Sequence, residues 1–316
     1  MPIIHTPFGS VEALPHVEYY ADGAVRSCIA ARACPLSTPV GVVVPQYTAN
    51  TLRKRQLPAI LFYPNGMIRT LPLEEQAMVS TPLGLLPAEQ ITLYPDGALK
   101  RVFPLNGTLS GYWAQEDECR LAESLILETP FGPLEAMILA IYFGPNGTLR
   151  SLTFWPKQIV DIPSPLGTLP VRIGVSFYDC GAIRSVEPSA PWSVPTPIGR
   201  ISAWDPDAVG VNGDINSLRF NENGSLLGVR TTAHSFDLTL ETGRKRRVAP
   251  PMRRHPCDDT RTVAGPVELE FGEGTVCFSS ADLSRLTVSV DGIAVSAFSP
   301  PLAIFSAGCS GGGEQW

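Results

Sequence analysis

The sequence predicts an all-β protein made of antiparallel β-hairpin repeats, about six units, with one short helix and a C-terminal β cap. Three observations predict this class. A glycine-centred hairpin signature recurs along the chain, a second turn with proline and glycine alternates with it, and the apolar residues of the incoming strands keep a period of two.

The hairpins align on Gly23, Gly66, Gly97, Gly147, Gly181 and Gly224. Six residues before them stand Val17, Ile60, Ile91, Ile141, Val175 and Leu218. Four before come Tyr19, Phe62, Leu93, Phe143, Phe177 and Phe220, and two after come Val25, Ile68, Leu99, Leu149, Ile183 and Leu226. Side chains alternate faces along a strand, so these bulky residues line one side of each hairpin and call for burial. Tyr63-Pro64-Asn65-Gly66 and Tyr94-Pro95-Asp96-Gly97 supply the turn chemistry. Proline presets φ near −65°, Asn or Asp takes the bridge region, and glycine accepts φ > 0, giving a type I turn closed by a glycine bulge.

This turn predicts that the residue five before glycine faces the residue three after it. The expected outer-face pairs are Glu18/Arg26, Leu61/Arg69, Thr92/Lys100, Tyr142/Arg150, Ser176/Arg184 and Arg219/Leu227. Each contains one cation. Arg26, Arg69, Lys100, Arg150 and Arg184 therefore read either as solvated charge that discourages edge pairing or as a basic stripe for an acidic partner.

The second turn reads Thr6-Pro7-Phe8-Gly9, Thr38-Pro39-Val40-Gly41, Thr81-Pro82-Leu83-Gly84, Thr129-Pro130-Phe131-Gly132, Ser164-Pro165-Leu166-Gly167 and Thr196-Pro197-Ile198-Gly199. Its third residue is apolar in every copy, although turn tips favour polar residues. The tips are expected either to tuck under a neighbouring unit or to form an exposed apolar ridge.

Hairpin repeats are expected over 1–113 and 129–230, with a helical insert at 114–128 between them. In that insert Glu116, Asp117 and Glu118 crowd the first turn of a helix expected from Ala114 to Leu125, and Leu121 and Leu125 recur at i, i+4. Tyr112 and Trp113 beside these carboxylates offer either a recognition spot or a hydrophobic anchor. From 231 to 316 the pattern decays into a diverged β cap and a flexible tail. The segment Arg244-Lys245-Arg246-Arg247 through His255 holds six of the 24 Lys and Arg residues in a chain of net charge −6. It reads as a mobile solvated loop or as a site for phosphate or nucleic acid. No interleaved aromatics or nucleic-acid fold accompany it.

Composition excludes several classes. At 44% hydrophobic and 17% charged residues the chain can bury a large core. No signal peptide and no transmembrane stretch are visible, and the seven scattered cysteines read as reduced thiols, so a cytoplasmic protein is expected. His255 and Cys257 alone lie close enough to suggest a metal, too few for zinc, so neither metal nor cofactor is expected. Gly308-Cys309-Ser310-Gly311-Gly312 matches the nucleophile-elbow pattern without room for the helix that must follow. No catalytic residue can be nominated.

The units Phe62-Tyr63-Pro64-Asn65-Gly66-Met67-Ile68-Arg69 and Leu93-Tyr94-Pro95-Asp96-Gly97-Ala98-Leu99-Lys100 resemble the hairpins of variant MORN repeat proteins of bacteria. The resemblance covers residues 17–229 and implies stacked hairpins in an elongated sheet, with a role as an interaction or membrane-associated scaffold. The chain departs from that family in lacking its Gly-x-Gly ending and in its longer, irregular spacing. The expected function is a non-enzymatic scaffold or protein-binding module. The alternatives are a ligand-binding protein or enzyme with a pocket near Tyr112 and Trp113, and an anion or nucleic-acid binder using Arg244, Lys245, Arg246 and Arg247.

Overall fold

The computed structural model describes residues 1–49, 51–211, 214–255 and 258–299. Two compact units emerge, Met1–Trp192 with Ala203–Arg230, and Ser193–Ser202 with Thr231–Trp316. The protein is all-β and antiparallel. No helix among the described residues is long and apolar enough to cross a membrane. Cys257, the side chain of His255 and the Gly308–Gly312 motif lie outside the described residues.

Each glycine turn of the first unit closes a hairpin as its chemistry demands. Gly66 takes φ +80°, which a Cβ would disfavour. Tyr63 N donates to Met67 O (2.8 Å) and Gly66 N to Tyr63 O (2.9 Å), while the Asn65 side chain accepts from Met67 N (3.1 Å). The same two backbone bonds close the turns at Gly23, Gly97, Gly147, Gly181 and Gly224.

The register differs from the expected one. Phe62 faces Ile68, but Leu61 faces Thr70 rather than Arg69. Likewise Glu18 faces Ser27, Thr92 faces Arg101, Tyr142 faces Ser151, Ser176 faces Ser185 and Arg219 faces Gly228. A second bulge, one residue beyond the first, takes the position three after glycine out of the pairing. The reason lies in burial. Residues two and five after glycine stand on opposite faces of a regular strand. The bulge brings both inward, so Ile68 and Leu71 are each fully buried.

Neighbouring hairpins then join edge to edge: Cys28 with Ile60, Leu71 with Ile91, Val102 with Ile141, Leu152 with Val175, and Val186 with Leu218. These residues and Val229 form one row across the ladder, each at most 1% exposed. At roughly 25 cal/mol per Å² of apolar surface removed from water, such a row is the main stabiliser of the ladder.

The Thr-Pro-x-Gly hairpins form a second layer. In five of them inside the first unit, a strand residue such as Leu36, Val79, Leu127 or Ile162 and a residue two after glycine (Val11, Val43, Leu86, Leu134, Leu169) are buried. The motif hydroxyl donates to the motif glycine carbonyl in every copy, for example Thr6 Oγ1 to Gly9 O (2.8 Å) and Ser164 Oγ to Gly167 O (2.7 Å). The tips tuck. Phe131 meets Phe177 with ring centroids 5.9 Å apart. Pro82, Pro130 and Pro165 lie so near Gly147, Gly181 and Gly224 that a Cβ there would approach them to 3.4, 3.0 and 3.4 Å. Val40 is buried, and Leu166 is the one tip residue reaching 36% exposure.

The insert is less helical than its sequence suggests. The helix spans Gln115–Cys119, and Leu125 belongs to strand Ser124–Thr129. That strand alternates, with Ile126 exposed and Leu127 buried, so period-two burial against Gly132–Met137 wins over the i, i+4 leucine pair.

The second unit holds a three-stranded sheet in the order Lys245–Val248, His234–Thr239, Ile293–Ala297. It also holds a meander of Val267–Gly272, Thr275–Ser280 and Leu283–Ser289. Phe236 and Phe278 pack with centroids 5.1 Å apart. Its residues 193–202, between the two segments of the first unit in sequence, belong to the sixth Thr-Pro-x-Gly hairpin.

Candidate functional site

Four surfaces come into question, and the sequence singled out three. The recurrent cations stand one per hairpin along the ladder, beside tyrosines that lock hairpin to hairpin. Tyr20 OH donates to Phe62 O (2.8 Å), Tyr63 OH to Leu93 O (3.0 Å), Tyr94 OH to Phe143 O (2.9 Å) and Tyr178 OH to Phe220 O (2.9 Å). Lys100 lies 5.3 Å over the Tyr94 ring and Arg184 5.9 Å over Tyr178. Burial raises the Tyr63 pKa while nearby Arg69 works against that rise. The fourth hairpin has Gly144 in place of tyrosine, and Arg150 fills in, reaching Asp179 of the next hairpin at 3.0 Å. Arg26 and Arg69 are exposed. The bulge thus sets these cations along the tyrosine links, spread out rather than converged on one point.

Trp113 is anchored by a buried charge cluster. Its Nε1 donates to Glu118 Oε2 (2.7 Å). Arg53 donates to both Glu118 oxygens (2.7 and 2.6 Å) and to both Glu89 oxygens (2.8 and 2.6 Å). Asn106 N completes the shell of Glu89 at 3.0 Å. Hydrogen bonding to Glu118 pushes the Arg53 pKa up, against the opposing effect of burial. Neither Arg53 nor Glu89 is legible as a site residue, since they lie 65 and 29 positions from Glu118 without any spacing motif. Beside the cluster, Arg55 stacks 4.2 Å over the exposed Tyr112 ring. The adjoining cleft of about 390 Å³ is lined by Arg53, Arg55, Gln56, Thr108, Ser110 and Tyr112 among others. Its donors suit a small ligand carrying acceptor oxygens.

Arg244, Lys245, Arg246 and Arg247 are all exposed. They run from a glycine turn into the outermost strand of the three-stranded sheet. Arg247 approaches Asp237 to 3.7 Å. Among the described residues no cluster of His, Cys, Asp and Glu could hold a metal ion.

The fourth surface is the outward side of the Thr-Pro-x-Gly layer, which sequence reasoning missed. Ile3, Val42, Met78, Leu85 and Ile126 stand there, exposed by 60, 69, 61, 67 and 72%. All occupy one of two equivalent positions, three before the motif threonine or one after the motif glycine. Ser37 N donates to Phe8 O and Ser80 N to Val40 O, both at 2.9 Å, which sets the first three hairpins side by side. Glu12, Glu128 and Glu135 share this face, opposite Ile3, Pro133 and Ile126 in the pairing. The missed signal is a surplus: strands with one buried side need one apolar set, and these carry two. Compared with protein-family models, with curated proteins and with solved structures, the chain matches none.

Proposed function

We propose that the chain is a non-enzymatic protein-binding module that docks its partner on the outward face of the Thr-Pro-x-Gly hairpin layer. The observation that carries this reading is the row Ile3, Val42, Met78 and Leu85, large apolar side chains exposed across three hairpins set side by side, with Ile126 exposed at the equivalent position of the fourth. Exposed apolar residues scattered singly need no explanation, whereas a contiguous row marks an interaction surface. Glu128 and Glu135 are exposed beside it, whereas Glu12 already pairs with Arg32, and the two exposed carboxylates favour a partner that brings both apolar and basic residues. The resemblance to MORN-type hairpins points the same way.

The test is affinity capture from a native extract with the natural chain and with a Val42→Lys, Leu85→Lys, Ile126→Lys variant. These positions are exposed, so the variant keeps its fold, checked by circular dichroism. Partners that elute from the natural chain and are lost from the variant support the proposal. The same partners from both overturn it.

The cleft beside Tyr112 supports a second reading, a site for a small carboxylate or phosphate near Arg55. A thermal shift by such anions that disappears in Arg55→Ala supports it.

A further inference from the structure

We propose that the edge strand Lys245–Val248 accepts an acidic, extended polypeptide segment as an added antiparallel or parallel strand. The inference does not rest on the hairpin-layer face. Three observations lead to it, two geometric and one electrostatic.

The first is position. In the order Lys245–Val248, His234–Thr239, Ile293–Ala297, the basic strand is outermost. No described residue pairs with its outer side in that sheet. The second is the direction of its backbone groups. Leu240 N donates to Arg244 O (2.9 Å), and the register sets Leu238 opposite Arg246 and Phe236 opposite Val248. Antiparallel pairs alternate between hydrogen-bonded and non-hydrogen-bonded, so the pairs of Arg244, Arg246 and Val248 carry the inner bonds. The N–H and C=O groups of Lys245 and Arg247 therefore face away from the sheet, in the spacing that an incoming strand needs.

The third is charge. Lys245, Arg246 and Arg247 are exposed, with Lys245 and Arg247 on one face and Arg246 on the other. Cations on an edge repel basic strands and disfavour apolar ones. The same cations stabilise an acidic strand, because opposite charges on neighbouring strands attract and like charges repel. Both faces of an added strand would thus meet a cation. The open backbone groups distinguish this surface from a plain polyanion site: a nucleic acid has phosphates for the side chains but nothing that continues the ladder.

The probe is an eight-residue peptide of alternating glutamate and valine, titrated into the full chain by calorimetry at low ionic strength. Two further peptides carry N-methyl groups, one on all its glutamates and the other on all its valines. Strand addition uses one alternate set of N–H groups, so one methylated peptide should bind at least tenfold more weakly than the unmodified one while the other still binds. Lys245→Gln, Arg246→Gln, Arg247→Gln should weaken the unmodified peptide at least tenfold, with circular dichroism confirming the fold. Equal binding of all three peptides would show plain charge attraction and overturn the proposal. So would no binding at all, or a short DNA duplex that displaces the peptide and binds more tightly. The methylation readout resides in the ligand, so it stands even if the triple variant fails to fold.

Discussion

Arg53 is one side chain on which three segments depend. It carries the loop before the second hairpin to Glu89 on strand Gly84–Leu93 and to Glu118 of the helix. Glu118 is fully buried and Arg53 only 13% exposed. Removing one member of such a cluster leaves buried charge uncompensated, which costs about 3–5 kcal/mol. Arg53→Met is expected to lose that much in urea unfolding. Arg53→Lys should recover little, since an ammonium cannot reproduce the planar fork that serves two carboxylates. A loss below about 1 kcal/mol would mean that the cluster does not hold the insert. Tyr178→Phe tests a smaller link: without its hydrogen bond to Phe220 O the join between the fifth and sixth hairpins should weaken by about 1 kcal/mol.

At the level of the element, glycine has two distinct reasons to stand where it does. Gly66 has φ +80° and open space around it. Gly66→Ala should therefore cost only the left-handed strain, about 1–2 kcal/mol. Gly174 lies where strand Gly167–Phe177 shifts register between Arg172 and Val175, next to Ile173 at φ +63°. A Cβ on Gly174 would sit 2.2 Å from Leu152 O, a backbone atom. Gly174→Ala is expected to melt far earlier than Gly66→Ala, and equal melting temperatures would refute this difference. Only the first kind of glycine is legible in the sequence, because a turn is local whereas a close approach between strands is not. The second bulge had a signal in Cys28, Leu71, Val102, Leu152, Val186 and Val229, all five after the turn glycine. Apolar residues at both two and five positions after glycine require a one-residue slip. The tucked tips follow from where Pro82, Pro130 and Pro165 come to rest on later hairpins, and the Arg53 cluster from residues distant in sequence. The apolar third residue of each turn leaves tucking and an exposed ridge both open and does not name the hairpin that covers the tip, and the cluster has no local pattern at all.

Across the ladder as a whole, stability depends on pH through groups that oppose one another. Glu187, fully buried, receives Ser217 N (2.6 Å) and Asp205 N (3.3 Å) and stands 3.6 Å from Arg172. Burial nevertheless pushes its pKa up from 4.5 to about 7. Between those two values the unfolded chain releases a proton that the folded chain keeps. This group's contribution is therefore full below pH 4.5, falls as pH rises, and is gone above about 7, a change of up to about 3 kcal/mol. Glu74 works in the other sense. Burial raises its pKa, but hydrogen bonds from Thr48 Oγ1, Tyr47 N and Thr48 N outweigh that and hold it below the ordinary value. Its contribution is present at neutral pH and lost on acidification. A single profile mixes the two, so the informative quantity is the difference between the natural chain and Glu187→Gln. Trp204, with Arg172 at 4.3 Å over its ring, places a fluorescent reporter beside the site. In urea unfolding followed by tryptophan fluorescence, to which Trp204 contributes, the variant should gain on the natural chain steadily from pH 4.5 to 7 and hold a constant difference above. Glu74 cancels in this comparison because both proteins carry it. A difference that stays flat across the window would show that Glu187 is ionised in the folded ladder, with Arg172 and the two backbone donors outweighing its burial.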